Sequence, residues 1–130
     1  MKLKLVLAGL MIAAASTFAN AASHAEGDAV KGAKVFKKCK ACHVADKEKN
    51  KVGPHLVGII GRKAGGVEGY KYSKGMKAKA EEIGMWDEAK IFEYIANPKK
   101  YLGARSKMTF KLKKEKQRKD VIAYLKSLAK

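Results

Sequence analysis

Both cysteines of this 130-residue chain lie in one short stretch, CKACH, which runs from Cys39 to His43. Two thiols at this spacing share one helical turn, where they can add as thioethers to the two vinyl groups of a haem. A histidine directly after the second cysteine can then direct its imidazole at the iron from the same side. The pattern C-x-x-C-H therefore predicts covalent attachment of a c-type haem.

Three other uses of the cysteine pair fit the sequence less well. A thioredoxin-type dithiol would need a βαβ context, which the sequence does not indicate. A structural zinc site needs four protein ligands, and the remaining histidines, His24 and His55, do not form a second pair at the usual spacing. A disulfide across C-x-x-C would close a very short loop and would stabilise the chain little.

The iron of such a haem needs a sixth ligand or an open coordination site. The candidates outside the apolar start of the chain are His24, His55, Met76, Met85 and Met108. His55 follows His43 too closely to cross to the far face of the haem, and Met76 and Met85 fit the role of core residues. Met108 lies in an irregular stretch far enough along for the chain to have passed the haem edge. A thioether ligand raises the iron potential and favours electron transfer over oxygen chemistry.

The start of the chain is typical of an exported protein. Lys2 and Lys4 precede an apolar run, residues 5–15, that is too short for a bilayer span of about 20 residues. An Ala-x-Ala ending at Ala21 predicts that residues 1–21 are a cleaved signal peptide, and cleavage after Ala25 also fits. An uncleaved anchor fits less well because no linker follows. We therefore expect a periplasmic protein.

Residues 22–130 are expected to form one all-α domain with long irregular connections. Apolar periodicity and capping residues predict helices over 28–38, near 76–82, from Asp87 to Pro98 and over 115–128. The intervening stretches, 44–75 and 99–113, are expected to be irregular, and no strand pair is predicted. Irregular connections this long are uncommon in small domains unless something organises them. A large apolar cofactor at the centre would do so.

The charge of the chain favours an acidic partner. It has 29 Lys and Arg against 12 Asp and Glu, a formal net charge of +17. Such a balance suits nucleic acid, an anionic membrane or an acidic protein face. Export makes nucleic acid an unsuitable partner.

The segments of the chain together resemble class I c-type cytochromes, the family that includes mitochondrial cytochrome c and bacterial cytochrome c2. In the family's order they are GDAVKGAKVFKKCKACH, KVGPHLVGIIGRKAG, GYKYS, Trp86, EYIANPKKY, SKMTF and VIAYLKSL. The resemblance covers nearly all of residues 22–130. It implies the small cytochrome c fold, in which helices and long loops wrap around one covalently bound haem c.

The resemblance also implies roles for particular residues. Cys39 and Cys42 hold the haem, His43 is the proximal ligand, and Met108 is the distal ligand. The Pro54 carbonyl accepts the other ring N–H of the histidine. Three matched positions contact a haem propionate or compensate its charge: Arg62, Tyr72 and Trp86. Two others, Tyr94 and Asn97, lie near the methionine.

Two further features follow from the comparison with the family. The counterpart of Gly32 lets the first helix cross the last near Tyr124. The stretch YLGARSKM departs from the family because it has no proline shortly before Met108.

The function implied by the resemblance is that of a soluble periplasmic one-electron carrier and not of an enzyme. It would carry electrons from a cytochrome bc complex to a terminal oxidase or a photosynthetic reaction centre. We expect a monomer that meets acidic faces of membrane complexes, approaches the membrane surface only transiently and binds no nucleic acid. The alternative is a haem-based sensor or peroxidase-like enzyme with a labile distal ligand. The lysines that flank the haem-contacting segments are Lys37, Lys38, Lys40, Lys51, Lys99, Lys100, Lys107 and Lys111.

Overall fold

Five α-helices make up the regular structure of residues 26–129, which are the residues that a computed structural model of the protein describes. They are α1 (Ala29–Phe36), α2 (Lys74–Ile83), α3 (Glu88–Ala96), α4 (Pro98–Leu102) and α5 (Glu115–Ser127). The predicted signal peptide, both of its cleavage sites and His24 lie outside the described residues.

The all-α class is confirmed for the described part of the chain. Its single β-like feature there is an isolated antiparallel bridge between Lys63 and Met85. None of the helices in residues 26–129 has the length and apolar character needed to cross a membrane.

Helices α1 and α5 cross in direct contact because α1 carries a glycine at the crossing point. A Cβ on Gly32 would lie 1.8 Å from the Asp120 carbonyl oxygen and 2.8 Å from the Tyr124 Cβ. Any side chain there would push the helices apart. Beside the crossing, the rings of Phe36 and Tyr124 pack with centroids 5.3 Å apart. The role expected for Gly32 is thereby confirmed.

The amino-terminal end of α1 is capped by the Asp28 carboxylate and is linked to α5 by a bond from the Asp28 backbone N–H. Asp28 is the predicted N-cap, and its side chain accepts hydrogen bonds from the N–H groups of Val30 and Lys31 at 2.9 and 3.0 Å. The Asp28 N–H in turn donates to the buried Asp120 carboxylate at 2.8 Å. The Asp120 carboxylate also accepts a hydrogen bond from the Lys116 ammonium. This pairing satisfies a carboxylate that would otherwise be costly to bury.

Helices α2 and α3 begin at side-chain caps. Ser73 accepts from the Met76 N–H at 3.1 Å, so α2 starts two residues before the predicted helix near 76–82. Asp87 accepts from the Lys90 N–H at 2.7 Å and caps α3, as predicted.

The prediction that residues 99–113 are wholly irregular is wrong at their start, because Pro98–Leu102 form α4. Asn97 caps this helix by accepting from the Lys100 N–H at 3.2 Å. Proline is tolerated at the first helical position, where its missing N–H would have no partner anyway. The residue that prevents α3 from continuing therefore begins α4. Gly103, in the left-handed region at φ 63°, ends it.

The methionines expected in the core divide into one buried and one exposed residue. Met76 is buried among the core residues, as predicted. The same expectation for Met85 is wrong, because its side chain is 54% exposed. Its backbone pairs with Lys63 in the isolated bridge, and its carbonyl accepts from the Lys90 ammonium at 3.1 Å. The backbone of Met85 is thus held in place while its side chain stays at the surface.

Candidate haem site

The CKACH stretch continues the path of α1 as a hydrogen-bonded turn. The Cys39 N–H donates to the Phe36 carbonyl at 2.8 Å. The N–H groups of Cys42 and His43 both donate to the Cys39 carbonyl, at 3.1 and 2.9 Å. Both cysteines are half-buried and form no disulfide with each other, and burial raises the pKa of the Cys39 thiol. Cys39, Cys42 and His43 therefore share one backbone turn, and Cys39 and His43 of these three residues line the adjacent cavity.

The imidazole of His43 is held in one tautomer. Because a carbonyl can only accept, the 2.7 Å contact between His43 Nδ1 and the Pro54 oxygen is a hydrogen bond donated by Nδ1–H. Burial lowers the pKa of His43, and the hydrogen bond to Pro54 raises it. The positive charges of Arg62 and Lys51 lower it further. The ring is thus neutral, and its Nε2 lone pair can serve as a metal ligand.

Gly53 is a site residue that sequence reasoning missed. A Cβ there would lie 2.3 Å from Cε1 of His43, 2.7 Å from Nδ1 and 2.8 Å from Nε2. The Gly53 N–H also donates to the Cys42 carbonyl at 2.9 Å. The glycine backbone therefore lies against the imidazole and fixes its position. The available signal was a glycine directly before Pro54 in a segment already assigned to the site.

A cavity of about 1000 Å³, counted to its open mouth, lies beside the CKACH turn. Cys39, His43 and Met108 all line it, and most of its other walls are apolar or aromatic. The remaining lining residues are Phe36, Pro54, Leu56, Ile59, Arg62, Tyr70, Tyr72, Ser73, Met76, Trp86, Ile91, Tyr94, Ile95, Ser106, Lys107, Phe110, Leu112, Val121 and Leu125.

The residues present in this cavity fit a covalently attached haem. The Cys39 thiol, the neutral His43 imidazole and the Met108 thioether all line the cavity. The apolar walls suit a macrocycle, and a small number of polar groups, such as Arg62 and Tyr72, suit its carboxylates. Met76 also lines the cavity, so two methionines in the described part of the chain can reach the cofactor.

The segment that carries Met108 is fastened at both ends although it has no proline. On one side, the Met108 N–H donates to the Ser106 hydroxyl at 3.1 Å. The Lys107 ammonium donates a hydrogen bond to the Lys71 carbonyl and lies 5.1 Å from the centre of the Tyr70 ring. These contacts connect the residues directly before Met108 to a separate loop.

On its other side, the Met108 segment is tied to α3 and α5. The Leu112 N–H donates to the Ile95 carbonyl at 2.8 Å. Arg118 donates to the carbonyls of Leu112 and Lys113 at 3.0 and 2.7 Å. The guanidinium carbon of Arg118 lies 4.3 Å from the centre of the Phe92 ring.

Two of the predicted aromatic residues, Trp86 and Tyr94, form a cluster with Tyr101. Trp86 lies 5.1 Å from Tyr94 and 6.2 Å from Tyr101 between ring centres, and both Trp86 and Tyr94 line the cavity. Burial raises the pKa of Tyr94, which keeps its phenol protonated. Tyr72 also lines the cavity, and its hydroxyl accepts from the Val67 N–H at 3.0 Å.

Asn97 is placed differently from the other predicted site residues. It caps α4 and lies outside the lining of the large cavity. It borders a separate shallow pocket with Lys99, Lys100, Gly103, Ala104, Arg105 and Lys111.

Arg62 brings a fixed positive charge to the cavity wall. Its guanidinium donates to the carbonyls of His55 and Val57 at 2.9 and 3.0 Å. Burial lowers its pKa, but a guanidinium stays charged at neutral pH. The neighbouring His55 ring was not among the predicted site residues.

Comparison with known proteins identifies the family. The sequence pattern described as Cytochrome c matches residues 29–129. A cytochrome c of Gibberella zeae is 50% identical over 109 residues, covering 82% of this chain and 99% of the relative. A cytochrome c2 of Rhodospirillum rubrum is 44% identical over 139 residues, covering 98% and 99%. The solved ferricytochrome c2 of Rhodopseudomonas palustris has a TM-score of 0.72 at 43% identity, covering 78% and 98%.

A C-x-x-C-H turn that opens onto a large apolar cavity in an all-α fold defines a c-type cytochrome. The chain belongs to the cytochrome c family, as a class I member close to cytochrome c2. It is a monohaem electron carrier and not an enzyme, and it carries one haem c attached to Cys39 and Cys42.

Proposed function

We propose that the chain is a soluble, monomeric periplasmic carrier. It takes single electrons from a cytochrome bc complex and passes them to a terminal oxidase or a photosynthetic reaction centre. The observation that carries this proposal is the shared cavity, where Cys39, His43 and Met108 all meet the cofactor space. The haem supplies a one-electron iron couple when bound, and the chain's own residues hold it and control access to it.

His43 and Met108 are proposed as the two residues that would bind the haem iron. The bond to Pro54 and the contact with Gly53 fix the imidazole, which supports the first assignment. Met108 lines the same cavity on a segment held from both sides, which supports the second. Two protein ligands would keep small molecules from binding the iron. This arrangement favours electron transfer over the sensor or peroxidase-like alternative.

The other predicted positions are proposed to bind the periphery of the haem. Arg62, Tyr72 and Trp86 are assigned to the propionates, because all three line the cavity and the first carries a fixed charge. Tyr94 is assigned to the methionine side, where it lies against Ser106. Asn97 acts there indirectly, through the cap that begins α4.

Export is supported by the amino-terminal sequence pattern. We propose that residues 1–21 are removed as a signal peptide, with Ala25 as the other cleavage position. The remaining residues, 22–130, are the cytochrome c domain.

A basic surface beside the Met108 segment is proposed as the docking face for acidic partners. Lys99, Lys100, Arg105 and Lys111 line the shallow pocket next to α4, and no carboxylate is among its lining residues. With a net charge of +17, the chain carries a field that steers it toward negative surfaces. Charges concentrated at one face would also orient that encounter.

A charge-reversal experiment tests the docking face. The variant Lys99→Glu, Lys100→Glu and Lys111→Glu should slow electron transfer to a membrane oxidase about tenfold or more at low salt. Lys107 is left intact because its ammonium holds the Met108 segment. The loss should shrink as salt rises, because the Debye length falls from about 10 Å at 0.1 M to about 3 Å at 1 M.

The matched control reverses three exposed lysines that line neither pocket, Lys34, Lys49 and Lys77. It carries the same change in net charge and should slow transfer much less. Equal slowing in both variants would show that net charge alone matters and would remove the docking face from the account.

A further inference from the structure

His55 lies against the arginine at the cavity wall in a defined protonation state. Its Nδ1 accepts the Val57 N–H at 3.2 Å and lies 3.4 Å from a terminal nitrogen of Arg62. Because both of these neighbours carry hydrogen, Nδ1 must be the unprotonated nitrogen of the ring. The geometry therefore describes a neutral histidine with its proton on Nε2.

Protonation of His55 would add charge at this place and would not displace Arg62. The same nitrogen of Arg62 donates to two backbone carbonyls, those of His55 and Val57, and neither of them titrates. The guanidinium would thus stay at the cavity wall while an imidazolium formed beside it. The Val57 N–H would lose its acceptor, and two cations would face one another.

The groups around His55 act on its pKa in both directions. Burial lowers the pKa of His55, the Arg62 charge lowers it further, and the Glu48 carboxylate raises it. The Asn50 side chain, which is neutral, accepts the His55 backbone N–H at 2.9 Å. A haem propionate at Arg62, as proposed above, would act in the same sense as Glu48.

We propose that His55 couples reduction of this carrier to uptake of a proton. On reduction one electron enters from the donor complex, and a fraction of one proton enters from water at Nδ1 of His55. Both leave when the carrier is oxidised. The inference rests on the proposed placement of the haem beside Arg62. It assigns this histidine a part in setting the reduction potential.

The direction of the coupling follows from charge alone. Reduction removes one positive charge from the cavity, so an imidazolium beside Arg62 becomes less unfavourable. The pKa of His55 is then higher in the reduced protein than in the oxidised protein. The reduction potential rises as pH falls through the range between the two pKa values of His55. At higher pH the potential is independent of His55.

The experiment measures the midpoint potential of the haem-loaded protein over about pH 5 to 8, the range in which histidines titrate. Nuclear magnetic resonance follows the His55 ring in both redox states of the unaltered protein. His55→Asn keeps an acceptor for the Val57 N–H but cannot titrate. His24→Asn, in the chain cleaved after Ala21, is the matched control, because it removes the other histidine that lies outside the CKACH stretch of the sequence.

We expect the potential of the unaltered protein and of His24→Asn to rise toward low pH, with the same inflection as the His55 resonances. His55→Asn should lose this inflection, and Glu48→Gln should move it to lower pH. Resonances of His55 that titrate identically in both redox states would overturn the inference. So would an inflection that survives in His55→Asn. A failure of the proposed function would look different, because the protein would then lack a reversible one-electron couple altogether.

Discussion

His43 donates its Nδ1–H to the Pro54 carbonyl over 2.7 Å, and the glycine before that proline lies against the same ring. The bond sets the tautomer and leaves Nε2 free, and the contact sets the plane of the imidazole. An outer hydrogen bond of this kind raises the basicity of a metal-binding histidine and holds its orientation. Two adjacent residues of one loop thus control the geometry of the proposed proximal ligand.

Gly53→Ala should displace this ring. The added Cβ would lie within 2.8 Å of three imidazole atoms, so either the ring or the loop must move. We expect an altered haem spectrum and a loss of stability of about 1–3 kcal/mol, typical of overpacking. Absorption spectra and denaturant unfolding of the haem-loaded protein measure both effects.

Gly58→Ala is the control for Gly53→Ala. Gly58 has φ 63° and open space around its Cβ position, so the substitution strains the backbone by about 1 kcal/mol without touching the imidazole. Its haem spectrum should not change. If Gly53→Ala also left the spectrum unchanged, the contact with the glycine would have no part in positioning His43.

The sequence predicted those parts of the fold that depend on local capping and on the C-x-x-C-H motif. Asp28 and Asp87 cap helices where expected, and the motif places its three side chains on one turn. α4 was missed because Pro98 both prevents α3 from continuing and begins the next helix. A proline is compatible with either role, and local pattern alone does not choose between them.

The parts of the site that were missed depend on contacts between distant segments. Gly53 reads as an ordinary loop glycine until the chain folds back onto His43. Tyr70 lines the cavity, and its ring contacts Lys107 from a separate loop. Met85 was expected in the core because of its residue type, but its backbone pairs with Lys63 and its side chain is exposed.

Removing both haem-attaching thiols should unfold the protein. With Cys39→Ser and Cys42→Ser together, the cavity of about 1000 Å³ has no covalently held occupant, and its apolar walls lose their packing partner. We expect far-ultraviolet circular dichroism to show little helix in this variant. Cys42→Ser alone keeps one thioether position and should remain helical with haem bound. A native-like helical signal from haem-free protein would disprove this account of stability.

Asp120→Asn should destabilise the junction of α1 and α5. Burial disfavours the Asp120 carboxylate, but the Asp28 N–H and the Lys116 ammonium outweigh this and lower its pKa from 3.8. The substitution should cost about 1–3 kcal/mol at neutral pH, because it removes a charged acceptor from a buried position. Denaturant unfolding of the haem-loaded protein measures the difference.

The contribution of Asp120 has a defined pH dependence. A carboxylate whose pKa is lowered on folding stabilises the protein above its unfolded pKa, and the stabilisation is lost as pH falls through the folded pKa. The gap between Asp120→Asn and the unaltered protein should therefore narrow below pH 3.8. Glu82→Gln, which removes an exposed pair with Lys79, should cost less than about 1 kcal/mol. A gap that stays constant down to pH 2–3, roughly a unit below the reference value, would show that the Asp120 charge is not responsible.

The most direct test of the central claim compares the two methionines that line the cavity, Met108 and Met76. Met108→Ala should abolish the far-red sulfur-to-iron band of the ferric protein and allow carbon monoxide to bind the ferrous protein. It should also lower the potential by on the order of 0.1 V or more, since axial ligands set haem potentials over about 0.8 V. Met76→Ala, a core substitution, should lower stability and keep the band. The contradicting result is a Met108→Ala protein that keeps the band, the potential and the resistance to carbon monoxide, while Met76→Ala loses all three. Met108 would then not be the distal ligand.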